Sequence, residues 1–189
     1  MARLITTISI VAQLAMLLNS TAQAGAGNYE PTHPPYIAAV PVDANSFYIE
    51  FRARNEVGGF GHSFVTLGTI DAFGHLRRTI VVGFMPKSSD DDYWSQFGLP
   101  VAGSVGVTRS DLVRRPDVRF LVACSRVKYD LVAKNISSLR NSWTMYELLV
   151  QNCNSFVNEI AHSIGLRTPT ITAQYPVYYL SELQALNTH

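Results

Sequence analysis

The chain is poor in charge, in cysteine and, beyond its first residues, in long apolar runs. Charged residues make up 15% of its 189 positions and the formal net charge is +1. A balance so close to zero gives no electrostatic case for nucleic acid or an acidic membrane surface as partner. Only two cysteines are present, Cys124 and Cys153. They permit a single disulfide, and a chain stapled there would be a structural domain. No CxxC or HExxH spacing marks a metal site, so zinc held by His62, His75 and Cys153 has no motif behind it and no cofactor is expected. Asp90-Asp91-Asp92 lacks the spacing of a calcium-binding loop and reads as a solvated turn. There is no internal repeat and no low-complexity segment.

What is present begins with a leader. Arg3, the apolar stretch Leu4–Leu18 and the small-x-small triplet Ala22-Gln23-Ala24 form the pattern of a secretory signal over residues 1–24, the alternative being an uncleaved anchor. No later stretch is apolar enough to span a bilayer, so no integral membrane segment is expected after cleavage. The expected compartment is secreted or periplasmic. Residues 25–45 hold Pro31, Pro34, Pro35 and Pro41 and read as an extended arm, with His33 exposed and without a role. Residues 46–189 are the size of one domain, and 47% hydrophobic residues suffice for a core without staples.

Ser46–Asn55 alternates, with Phe47, Ile49, Phe51 and Ala53 on one side and Tyr48, Glu50, Arg52 and Arg54 on the other, the pattern of a half-buried strand. His62–Ile70 and Leu76–Phe84 read as two more strands, joined by a hairpin loop with Gly74 at a left-handed position. Met85–Arg115 reads as a long loop walling a cleft, with one helical turn capped by Ser110 and stopped by Pro116. Val118–Cys124 reads as a strand. Tyr129–Asn141 reads as a helix capped by Asp130, with Leu131, Ile136 and Leu139 inward. Ser181–Leu186 reads as a short terminal helix with Ser181 and Gln184 as a capping box. Asn135-Ile136-Ser137 fits a glycosylation triplet of a kind common by chance. Strands first and helices after predict an α+β domain, an antiparallel meander packed against helices.

The informative stretch is Tyr146–Leu166. Cys153, Phe156, Val157, Ile160, Ala161 and Ile164 recur at helical spacing, Asn152 stands where an N-cap belongs and Gly165 where a helix stops. Asn154, Asn158 and His162 fall on the opposite, polar side. A thiol in the first turn lies near the positive end of the helix dipole, which favours the thiolate. Taken alone, Cys153 is as readily a small core hydrophobe and His62 a structural histidine. His62, opening a strand just after Gly58-Gly59-Phe60-Gly61, is the candidate base. His75 is the candidate to orient it, because the hairpin returns toward His62 across adjacent strands, with an Asn, Asp or backbone carbonyl as the other options. The N–H of Cys153 is a ready donor to an oxyanion, with Asn152, Gln151 and Tyr48 as further cap or donor candidates. Cys124 ends an apolar run and reads as an inert buried thiol.

Gly61-His62 on a strand, a polar residue on the next strand, and Asn152-Cys153-Asn154-Ser155-Phe156-Val157-Asn158-Glu159 resemble the circularly permuted papain-like (NlpC-type) group, whose histidine precedes a cysteine that begins a helix. Two branches are nearest. The lecithin:retinol acyltransferase-like branch has Asn-Cys-Glu-His-Phe-Val, where this chain has Asn154 and Ser155 in place of Glu-His. The PPPDE branch of desumoylating isopeptidases has Asn-Cys-Asn-x-Phe followed by an Asn-Glu pair, which Asn154, Asn158 and Glu159 match. Tyr146-Glu147-Leu148-Leu149 resembles both. The resemblance implies a thiol hydrolase or acyltransferase: Cys153 attacks a carbonyl, an acyl-thioester forms, and His62 acts as base and then acid. His75 corresponds to the third residue of the first branch. A secretory leader does not suit a ubiquitin-like substrate; it suits a cell-wall peptide, a secreted peptide or a lipid acyl group. The competing expectations are a binding module that keeps the fold without turnover, and the stapled structural domain.

Overall fold

The computed structural model describes residues 37–38, 46–57 and 59–188. The expected leader, His33 and all of the arm except 37–38 lie outside the described residues. Among the described residues seven strands form one open sheet in the order β1-β6-β2-β3-β4-β5-β7. They are β1 (Ile37–Ala38), β2 (Ser46–Arg54), β3 (His62–Ile70), β4 (Leu76–Pro86), β5 (Val101–Gly106), β6 (Val118–Cys124) and β7 (Met145–Tyr146). Six are antiparallel, and β1 adds two residues parallel to β6. Five helices are described: α1 (Ser89–Ser95), α2 (Arg109–Val113), α3 (Arg126–Ser142), α4 (Cys153–Ser163) and α5 (Pro176–Asn187). The expected α+β class holds, and the meander runs one strand further than expected, through β5. Among the described residues no helix is long and apolar enough to cross a membrane.

The core lies between the sheet and α3, α4 and α5. Ile49, Phe51, Val65, Leu67, Val82 and Phe84 from the strands meet Ile136, Phe156, Val157, Ile160, Leu180 and Leu183 from the helices. This is the apolar side of β2 read from its alternation. The other side of β2 is not the solvated face that alternation predicts, for Tyr48, Glu50 and Arg54 are buried as well. Being flanked by β3 and β6, β2 has neighbours on both edges that cover this side. Tyr48 packs with Ile70, Leu121 and Ala123. The Glu50 carboxylate accepts from Arg119 Nε at 2.6 Å, Arg52 Nε at 2.7 Å and Thr66 Oγ1 at 3.1 Å, which satisfies a charge that burial alone would forbid.

The segment read as a long loop holds α1, β5 and α2. Asp90, Asp91 and Asp92 form the first turn of α1 behind the Ser88 cap, where negative charge opposes the helix dipole. The cap of α2 is Thr108, not Ser110, and Asp111 closes its capping box. Two further helices begin earlier than expected and with other caps. α3 starts at Arg126 behind Ser125, and buries Val132 where Leu131 was expected, Leu131 being exposed. Its interior includes Asn135-Ile136-Ser137, which is therefore not a loop acceptor. α5 starts at Pro176 with no side-chain cap, and Ser181 instead donates to the Val177 carbonyl within the helix.

Candidate active site

α4 begins where the sequence places it. The Asn152 side-chain oxygen accepts from Ser155 N at 2.9 Å, and Ser155 Oγ accepts from Asn152 N at 3.3 Å, a reciprocal cap that fixes Cys153 as the first helical residue. The helix ends at Ile164, with Gly165 at φ +83° beyond it. Asn152 is engaged on its other side too, donating to Leu148 O at 2.6 Å, so its role is that of the cap.

β3 delivers the imidazole to this turn. Gly61, with φ +82°, lies so close to the Arg54 carbonyl that no Cβ fits, and this tight approach ends the β2–β3 connection and starts β3 at His62. The His62 ring lies nearly parallel to Phe64, their centroids 5.8 Å apart, and is close enough to Cys153 for each group to shift the other's ionisation. Its buried Nε2 faces Asp111 Oδ2 at 3.8 Å, an electrostatic approach longer than a hydrogen bond. Space for the ring comes from Gly83 on β4, where an added Cβ would stand 2.6 Å from Nε2 and 3.1 Å from Cε1. Gly83→Ala is expected to force the ring from this place, costing about 1–3 kcal/mol of stability by overpacking. Denaturant midpoints and the Cys153 alkylation rate check this, and both should fall.

Asp111 reaches His62 through the sheet register. Gly83 pairs with Gly106, the last residue of β5, so the chain leaving β5 beside His62 turns directly into α2. Within two residues the Thr108 cap begins, and Asp111 is held by its own capping duty, Oδ2 accepting from Thr108 N at 2.8 Å. Its Oδ1 accepts from Arg54 Nη2 at 3.2 Å. Arg54 Nη1 stands 3.1 Å from Glu56, which in turn bonds Arg114. A chain of alternating charge thus runs from the imidazole to the surface.

The two reactive groups shift each other. At Cys153 burial is the largest effect and favours the neutral thiol, but the hydrogen bond and positive charge of His62, with hydrogen bonds from Ser63, outweigh it and the thiol lies below its ordinary range. At His62 burial pushes the imidazolium down. The Cys153 hydrogen bond and charge and the Asp111 carboxylate, opposed by Arg54, reverse this and raise it. Both directions favour the thiolate and the imidazolium over the neutral pair. Cys124 is the opposite case: burial pushes its thiol up to about 11, with Lys128 a small counterweight. It pairs with Phe47, seven positions along β2 from Arg54, about 23 Å at the rise of a strand. Both cysteines are free thiols, so the stapled alternative is set aside.

Tyr146 on β7 completes the site. Burial, then the Cys153 charge and a hydrogen bond to its sulfur, push the phenol far up, while a bond from the Cys153 N–H opposes them. Tyr146 and Cys153 line the same cavity. Phe60, Leu148, Leu149, Ala173, Tyr175 and Pro176 wall a cavity that Cys153 also lines.

The remaining expectations need correction. His75 does not orient His62. It sits in the hairpin turn, exposed and 3.2 Å from Asp71, at the far end of β3, eight residues or about 26 Å from His62. A zinc held jointly by His62, His75 and Cys153 is excluded by the same separation. Tyr48 is no oxyanion donor: it pairs with Gly68 and Ala123 toward the same far end, on the sheet face away from α4. Gln151 pairs through its backbone with Glu147 in the turn before Asn152 and is not among the cavity walls. Asn154 is not on a solvated face but 1% exposed, while His162 is exposed as expected. Of the residues not singled out from the sequence, Asp111 had one signal, the Thr-x-x-Asp spacing of a capping box; Gly83 and Arg54 had none. Compared with family models, curated proteins and solved structures, the chain matches none.

Proposed function

We propose that the protein is a thiol hydrolase or acyltransferase of the permuted papain-like kind, working through Cys153 and His62 with Asp111 orienting the base. The observation that carries this is a cysteine at a helix start, lining a cavity, whose thiol is held low by a buried histidine that itself stands 3.8 Å from a buried carboxylate. The Asn152–Glu159 resemblance supports the same reading; the third residue departs from it, coming from a helix after β5 rather than from the strand after the base. In this mechanism His62 takes the thiol proton and the sulfur attacks the substrate carbonyl. The oxyanion forms beside the Cys153 N–H and the Tyr146 hydroxyl. His62 returns its proton to the leaving group, and water or another acceptor resolves the thioester with His62 again as base. A secreted or periplasmic setting follows from the leader pattern and suits a peptide or acyl substrate.

The 5% exposure of Cys153 favours a second reading, a binding module that retains the fold without turnover. One measurement separates the two. Iodoacetamide at neutral pH should modify Cys153 in the folded protein about tenfold or more faster than the same residue in denatured chain, with the adduct located by peptide mass. A folded-state rate equal to or below the denatured one sinks the catalytic reading.

A further inference from the structure

The first turn of α4 does more than present the sulfur. Asn154, the residue after it, spends its whole amide on three partners. Its Nδ2 donates to Gln174 O at 2.7 Å and to Thr172 O at 3.0 Å, and its Oδ1 accepts from Ser63 Oγ at 2.8 Å. Asn152 adds a bond to Thr172 O at 3.4 Å, and Ser155 Oγ one to Thr172 Oγ1 at 3.2 Å. Gln174 ties the far side, its Nε2 donating to Ile171 O at 2.9 Å and Glu182 at 3.1 Å. The strap Thr172–Pro176 is thus fastened to the turn that carries the nucleophile.

This strap supplies one side of the cavity through Ala173, Gln174, Tyr175 and Pro176. Tyr175 faces Phe60 across it, with ring centroids 5.7 Å apart. Among the described residues no Asp, Glu, Lys, Arg or His lines the cavity. A charged group entering such walls loses its hydration with no opposite charge to replace it, whereas an apolar chain gains by burial. We propose that the Thr172–Pro176 strap is the specificity wall of the site, that Asn154 is the positioning residue that holds it against Cys153, and that the wall selects an uncharged, apolar group next to the reacting carbonyl. This rests on Cys153 being the nucleophile, and deepens that reading by naming what the cavity accepts.

The test compares N-ethylmaleimide with N-hexylmaleimide as thiol probes, with adducts at Cys153 read by peptide mass and each rate divided by that of denatured chain. The wild-type protein should favour the hexyl reagent by roughly tenfold, since four added methylenes enter an apolar wall. In Asn154→Ala the strap loses its two bonds to this side chain and the hexyl preference should fall to about one- to twofold. Ala173→Trp, which fills the cavity from the strap itself, should abolish the preference with Asn154 intact, and it decides the matter if Asn154→Ala fails to fold. A wild-type Cys153 that reacts faster than denatured chain with both probes but without preference overturns the specificity wall and leaves the nucleophile standing. A preference that survives both variants overturns it as well. A Cys153 no faster than denatured chain removes the nucleophile, and the wall with it.

Discussion

His62→Ala should slow alkylation of Cys153 at pH 7 by about a hundredfold or more, within the range for loss of a general base. Burial is the strongest influence on the thiol and acts against ionisation, and His62 supplies the largest opposing effects, a hydrogen bond and a positive charge. Without the imidazole, burial is left with only the weaker Ser63 bonds against it, so the thiol moves above its ordinary range instead of below it. The pH profile carries the sign. In the wild-type protein the rate should rise as pH climbs through the lowered Cys153 pKa, below the range of a free thiol. In the variant the whole rise should move to alkaline pH. Superimposable profiles would show that the imidazole does not hold the sulfur's proton.

The second large effect concerns Asp111. Arg54 is nearly buried, and its other carboxylate partner, Glu56, is a surface residue. Asp111→Ala leaves this guanidinium with the exposed partner only and removes the acceptor for Thr108 N, so a loss of about 3 kcal/mol is expected, as for one member of a buried pair removed. Asp111→Asn keeps the volume and one acceptor oxygen and should cost less stability. It still removes the charge that raises His62. The imidazolium is then less favoured, and the thiolate it supports with it, so the acid limb of the alkylation profile should shift upward. Denaturant midpoints and the pH profiles of the two variants separate the structural share from the electrostatic one. An Asp111→Asn profile lying on that of the wild type would remove Asp111 from the site.

The elements that were legible are those whose signals are local. His62–Ile70 and Val118–Cys124 match their strands to the residue, and Asn152 and Gly165 mark the ends of α4. Each rests on an apolar run or a cap read within a few residues. α1, β5 and α2 were hidden because they invert or lack those signals. α1 turns Ser95 inward and leaves Tyr93, Trp94 and Phe97 exposed, packed on one another. β5, Val-Ala-Gly-Ser-Val-Gly, has little of the β-branched and aromatic content of a strand and is held by its pairing with β4. The nucleophile and base were legible for the same local reasons. Asp111 was not, because its place beside His62 follows from the Gly83–Gly106 register, a long-range fact. His75 failed through arithmetic of the same kind: a hairpin returns the chain to its partner strand, but the residue at the turn is the one farthest from the strand's start.

Four consecutive residues, Asn152 to Ser155, supply the helix cap, the reactive sulfur and the anchors of the strap. Rate and selectivity are therefore inherited together through this turn: a change there that retunes one disturbs the other. Anyone redirecting the protein to a new substrate would do better to begin from Phe60 and Ala173, which shape the cavity from outside that turn.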